Sequence, residues 1–247
     1  MWSIVLVLLA VLVGSSMQRV TGMGFALVAA PFLVLLLGPV DGVILTNLCS
    51  ALTAAIILTR VVRDVDWRRA GALALFAIAG IVPGAMILRY VSAAWLEIAI
   101  GVLIAVGLTA SVNLGRVHIR DRRSFRAIAG VFSGFMNATA GVGGPAVSIY
   151  ALATNWPHRS FAATMQPYFL FIGLTSLGAK FASGSAGVPA LQGWVWLLVA
   201  VACVAGLIQG EVLARFLKPH IARRLLVIVA YTGAAATIAR GVAELVG

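Results

Sequence analysis

Residues Ala138–Val147 read ATAGVGGPAV, and within this stretch Gly141, Gly143, Gly144 and Pro145 fall in five positions. A helix interior pays about 1 kcal/mol for glycine and about 3 kcal/mol for proline relative to alanine. No ordinary helix runs through this point. Yet its flanks are apolar, and the whole chain of 247 residues is 62% hydrophobic and only 10% charged, with mean hydropathy +1.08. A soluble domain carries about 25% charged residues. The solvent of this chain is therefore mostly lipid, and the stretch is a backbone break inside a membrane protein.

Outward from the break, ten apolar segments account for nearly all of the sequence. In the first half they are A (2–20), B (24–37), C (41–59), D (68–89) and E (93–113). In the second half they are A′ (125–140), B′ (144–155), C′ (160–181), D′ (190–214) and E′ (220–241). Lipid leaves backbone groups no partner but each other, so apolar runs without strand alternation read as helices. The expectation is one all-α integral membrane domain over 1–247, with repeat one at 1–115, a connector at 116–124 and repeat two at 125–247. At 1.5 Å per residue B and B′ reach only about 20 Å, short of the ~30 Å hydrocarbon core. They read as half-helices or short packed crossings. The first segment lacks the basic flank of a signal peptide and reads as part of the membrane domain. Cys49 and Cys203 lie in apolar segments without metal-ligand spacing and read as core residues.

The chain repeats itself. GMGFALVAAPFL at Gly22–Leu33 aligns with GVGGPAVSIYAL at Gly141–Leu152, and GIVPGAMILRY at Gly80–Tyr90 with GLIQGEVLARF at Gly206–Phe216. The net charge is +11, but it sits in short connectors rather than in a stripe that nucleic acid would need. Fourteen basic residues occupy the C–D, E–A′, B′–C′ and D′–E′ connectors; Arg89, Lys180 and Arg240 fall on the opposite side, and Arg19 within the membrane region. By the positive-inside rule both termini lie outside and the second half is inverted relative to the first.

Inverted repeats with matched breaks place a substrate near the midplane, between helix N-termini. The breaks at Thr21–Gly24 and Ala140–Pro145 aim the starts of B and B′ inward, where uncapped amides attract anions. Polar residues gather at the same places. The expected binding set is Gln18, Arg19, Thr21, Gly22, Gly24, Asn47, Asn137, Thr139, Gly143, Gly144 and Gln166. An intramembrane arginine is costly and marks function by default, although Arg19 can also snorkel to an interface. Asp41 reads as a helix N-cap, Glu97 as an outer-end residue, and Glu211 as an i,i+4 partner of Arg215. No carboxylate or histidine falls near the expected midplane, so no side-chain proton relay of the usual kind is visible.

At these glycine motifs the sequence resembles the sulfite exporter TauE/SafE family, also called the 4-toluene sulfonate uptake permease family. GVGGPAVSIYAL carries the motif, and GMGFALVAAPFL carries it with Phe25 in place of the second glycine of the pair. The resemblance covers nearly the whole chain. It implies secondary transport of small sulfur-containing anions, such as sulfite, sulfonates or sulfoacetate, across a bacterial cytoplasmic (inner) membrane. A passive anion channel, or a transporter of another small organic anion, would use the same pocket. Neither G-x-S-x-G nor H-E-x-x-H occurs, nor a membrane-embedded carboxylate pair, so the chain does not read as an enzyme. The expected partners are a small anionic substrate and the lipid bilayer, with a homo-oligomer left open and no nucleic acid, metal or cofactor.

Overall fold

A computed structural model describes residues 2–113, 120–216 and 219–246. Arg116 and Lys218, counted above among the connector charges, lie outside the described residues, as does the side chain of Arg223. Among the described residues there is no strand. The helices are α1 (Trp2–Thr21), α2 (Gly24–Leu37), α3 (Pro39–Val61), α4 (Trp67–Ile87) and α5 (Ala93–Asn113) in the first half. The second half holds α6 (Arg123–Ala140), α7 (Gly144–Ala153), α8 (His158–Ala182), α9 (Gly193–Phe216) and α10 (Pro219–Val246). They coincide in order with segments A to E and A′ to E′. Six of them, α1, α3, α4, α5, α9 and α10, are long and apolar enough to cross a membrane, whereas α2 and α7 are shorter apolar helices. One boundary differs from expectation. α3 begins two residues before Asp41, because Pro39 starts the helix and Gly38, at φ +87°, turns the chain into it. Asp41 is thus a first-turn residue favoured by the helix dipole rather than the N-cap.

The helices pack in couples that exchange when the two halves are exchanged. α1 packs along α9 as α6 packs along α4; α2 meets α10 as α7 meets α5; α3 meets its counterpart α8 and α5 meets α10. The repeated G-x-x-x-G pairs explain the closest of these contacts, since missing side chains let helix backbones approach. A Cβ built on Gly80 would lie 1.9 Å from the Val131 carbonyl oxygen of α6, and one on Gly206 would lie 2.4 Å from the Leu12 carbonyl oxygen of α1. Gly80→Ala must therefore push α4 and α6 apart. It is expected to cost about 1–3 kcal/mol, in the range of overpacked cores, read as a lowered melting temperature of the purified protein. An unchanged melting temperature would mean that this interface is slack.

Polar contacts fix which helix ends lie together. At one end Arg60 of α3 reaches Glu211 of α9 at 3.3 Å, and Arg159 of α8 reaches Asp64, in the turn after α3, at 3.0 Å. Asp121 accepts from Arg126 of α6 at 2.9 Å and from the Tyr150 hydroxyl of α7 at 2.8 Å, and lies 3.5 Å from Arg69 of α4. Burial pushes the Asp121 carboxyl up, but the hydrogen bonds from Arg126 and Tyr150 and the charges of Arg126 and Arg69 outweigh it and hold it below its ordinary range. Arg69 in turn lies over the Trp156 ring at 4.6 Å. This is the arginine-rich end. At the opposite end Arg240 of α10 meets Glu97 of α5 at 3.6 Å and donates to the Leu35 carbonyl of α2. Exposed Trp2, Tyr90, Trp95 and Trp194 belong to the helix ends on that arginine-poor side, as aromatic side chains do at a bilayer interface.

Candidate functional site

Both breaks are built alike. Gly22 follows α1 at φ +84° and Gly141 follows α6 at φ +72°. Their N–H groups donate to the carbonyls of Gln18 (2.8 Å) and Asn137 (2.9 Å), each four residues back. Left-handed backbone favours glycine, and space demands it as well. A Cβ on Gly22 would stand 2.7 Å from that of Ala162, and one on Gly141 would stand 3.0 Å from Thr46 Cγ2. Beyond the turns, α2 and α7 begin without any side-chain cap, and α7 opens with proline in its first turn. Their first amides are thus left for other partners.

The tips of the broken pairs carry two layers of amides and hydroxyls. In one, Gln18 of α1 donates to Gln166 Oε1 of α8 at 3.3 Å and accepts from the Thr53 hydroxyl of α3 at 2.9 Å, while Gln166 Nε2 donates to the Gly22 carbonyl at 2.9 Å. In the other, Asn137 Oδ1 of α6 accepts from the Ser176 hydroxyl of α8 at 2.8 Å, and the Asn137 carbonyl accepts from Asn47 Nδ2 of α3 at 3.5 Å. Gln18 and Asn137 align in the sequence repeat, as do Gln166 and Asn47, whereas Thr53 and Ser176 align with isoleucines, Ile172 and Ile57. Ten residues of α8 separate Gln166 from Ser176, about 15 Å along the helix. The Gln18 layer lies toward the arginine-rich end and the Asn137 layer toward the arginine-poor end.

Between the layers is a small cavity of about 10 Å³ bordered by Gln18, Ser50, Asn137, Gly143, Gly144 and Phe169. That is about the room of one water probe, too little for an oxyanion. Met23 and Leu27 form its wall toward a second, much larger cavity of about 650 Å³. This vestibule is lined by Thr21, Ser111, Ser148, Asn155, Trp156 and His158 among others, all on elements that meet at the arginine-rich end. Met23 is held in the partition by the Ser148 hydroxyl, 2.9 Å from its sulfur. The vestibule thus leads toward the breaks from one end and stops at Met23.

The structure gathers most of the expected set. Gln18, Asn137, Gly143 and Gly144 border the small cavity, and Asn47, Gln166 and Gly22 are bonded to its walls. Thr21 lies in the vestibule. Gly24 starts α2 against Met17 and Thr21, and Thr139 bonds its own helix through the Phe135 carbonyl at 2.8 Å. Arg19 stands apart from the group. Its Nη2 and Nε lie 2.5 and 2.6 Å from Glu211 Oε2, at the arginine-rich end. Glu211 is therefore the partner of Arg19 and Arg60, and no bond to Arg215 forms. Thr53, Ser176 and Met23 were not anticipated. No spacing in the sequence points to Ser176, because ten residues from Gln166 is about 80° away around the helix.

Lys180 also differs from expectation. Counted above with the charges of the opposite side, it lies within α8, with 0% of its surface exposed and no hydrogen-bond partner for Nζ. Asn47 Oδ1 is likewise buried without a partner. The family model described as sulfite exporter TauE/SafE matches residues 6–237. No curated protein and no solved structure matches the chain.

Proposed function

The chain belongs to the sulfite exporter TauE/SafE family, and from that premise we propose a secondary transporter that moves small sulfur-containing anions by alternating access between two inverted halves. Membrane transport follows from the family; substrate and mechanism are our reading. The observation that carries it is the pairing of one open vestibule with one nearly closed cavity at the facing tips of two broken helix pairs. A small anion would enter the vestibule, pass Met23 and displace it, and rest between the starts of α2 and α7. Uncapped amides at Gly143 and Gly144 and the side chains of Gln18 and Asn137 would hold it, with Asn47, Gln166 and the backbone at Gly22 and Gly24 shaping the walls. Thr21 lines the approach, and Thr139 supports the α6 tip. Such a site offers donors and helix dipoles without a nearby carboxylate to repel an anion.

With the arginine-rich end cytoplasmic, both termini lie outside a bacterial inner membrane and the vestibule faces the cytoplasm. Arg19 enters the proposal as an anchor of the α1 tip, because a guanidinium already paired with Glu211 offers little further charge to a substrate. Arg19→Ala should then keep sulfite affinity within about threefold while lowering stability by about 1 kcal/mol, in the range for part-exposed pairs. A tenfold loss of affinity would return Arg19 to the binding site. Counterflow in proteoliposomes tests the function itself. External unlabelled sulfite should accelerate the exit of labelled sulfite; flux without such stimulation favours the channel.

A further inference from the structure

We infer that Lys180 is the cation of a second anion-binding position, on the arginine-poor side of the Asn137 layer, and that the same small oxyanion or sulfonate rests there on its way across. The inference deepens the proposed transport function and rests on it.

Three observations meet at this residue. First, the Lys180 side chain is wholly inside the protein although it stands two residues from the end of α8. A lysine this close to a helix end can send its ammonium to the interface, yet this one does not. Helix α8 packs against α3, α4 and α6, and the Lys180 side chain is fully enclosed at that end of the helix. Second, among the described residues Nζ has neither a hydrogen-bond acceptor nor a carboxylate within 4.0 Å. A buried ammonium without a partner is a standing cost to the fold. Such costs persist where function needs them.

Third, its position leads back to the substrate layers. Lys180 is one helical turn beyond Ser176, whose hydroxyl bonds Asn137, and Gly173 and Gln166 continue the same face of α8. Helical side chains lean toward the N-terminus of their helix. The Lys180 stem is thereby directed from the arginine-poor end back toward Ser176 and the tip of α6. An anion leaving the closed cavity in that direction meets three ammonium donors before it meets solvent.

On the antiparallel neighbour α3, an acidic side chain stands at the same height. Gly173 packs against Asn47 and Ala51 of antiparallel α3. Counting about 1.5 Å per residue from there puts Lys180 level with Asp41. The two form no ion pair, and Asp41 is partly exposed in the first turn of α3. The arrangement is an unpaired cation that a passing anion can claim, with the Asp41 carboxylate level with it on α3.

The test uses the full-length protein in detergent, titrated with sodium sulfite and followed by its melting temperature, for wild type, Lys180→Met, Lys180→Arg and Asp41→Asn. Methionine keeps the length and removes the charge. The expected result is that Lys180→Met melts higher than wild type without ligand, loses at least tenfold in apparent sulfite affinity, and that Lys180→Arg restores most of it. Wild-type affinity in Lys180→Met overturns the inference while leaving the transport reading intact. A lower ligand-free melting point in both Lys180→Met and Asp41→Asn overturns it as well, by showing a structural pair. If no anion, including thiosulfate and short sulfonates, stabilises the wild type, the transport reading fails and this inference with it.

Discussion

Gly144→Leu should abolish anion flux and leave the protein folded. The position has ordinary room for a first side-chain atom. A Cβ there would meet Met23 Sδ and Phe169 Cζ at 3.8 Å each, and the residue is not one of the glycines with left-handed φ. Alanine is therefore expected to be tolerated. The further atoms of leucine have only the small cavity to enter, between Met23 and Phe169 and over the first turn of α7. They would occupy the place of the anion and cover the amides that hold it. Flux should fall by at least a hundredfold in reconstituted vesicles, with a melting temperature lowered by several degrees, because the added carbons exceed the cavity and overpack it at about 1–3 kcal/mol. Normal flux in Gly144→Leu would show that the anion passes elsewhere.

Asn137→Leu is expected to be nearly as severe, for a different reason. The Asn137 amide joins three elements: its Oδ1 accepts from Ser176 of α8, its Nδ2 donates to the Gly141 carbonyl at 3.4 Å, and its helix tip receives Asn47 of α3. Leucine would fill the volume but strand the Ser176 hydroxyl and loosen the turn at Gly141. Each buried group left unpaired costs about 1–3 kcal/mol. A loss of that order should appear in the melting temperature. Transport should fall by more than tenfold even below the melting transition, because the layer that shapes the cavity is gone. Asn137→Asp, which keeps the acceptor to Ser176 but adds a negative charge beside an anion site, should retain more stability and no more flux. If Asn137→Leu transports normally, the Asn137 layer is structural only.

The helices were legible in the sequence because lipid imposes the same demand on every segment: apolar side chains outside and backbone bonds satisfied within. The breaks were legible because Gly22 and Gly141 answer two demands at once, a left-handed φ and no room for a side chain. GIVPG and GLIQG, aligned with each other in the sequence, both mark close helix crossings, α4 on α6 and α9 on α1. What the sequence could not show is which polar residues meet across helices. Arg19 has no acidic neighbour in sequence, and Glu211 arrives from 192 residues away. Lys180 falls within a helical segment, 160–181, and counts there as an end charge, but sequence does not show whether a lysine near a helix end reaches the interface or folds inward, as this one does. The single cradle expected between the tips resolves into two layers because α3 and α8 hold the amides at different heights, a spacing set by tertiary packing alone.

The central claim is that the space between the two helix tips opens to one side at a time. It is tested most directly by thiol accessibility in oriented vesicles, with Cys49 and Cys203 replaced by alanine and a single cysteine placed at Ser148 in the vestibule or at Ser176 in the Asn137 layer. A membrane-impermeant reagent should label Ser148→Cys from the arginine-rich side and Ser176→Cys from the other. Added sulfite should change the two rates in opposite directions. Fast labelling of both positions at once, unmoved by sulfite, would mean a continuous pore and would contradict the account.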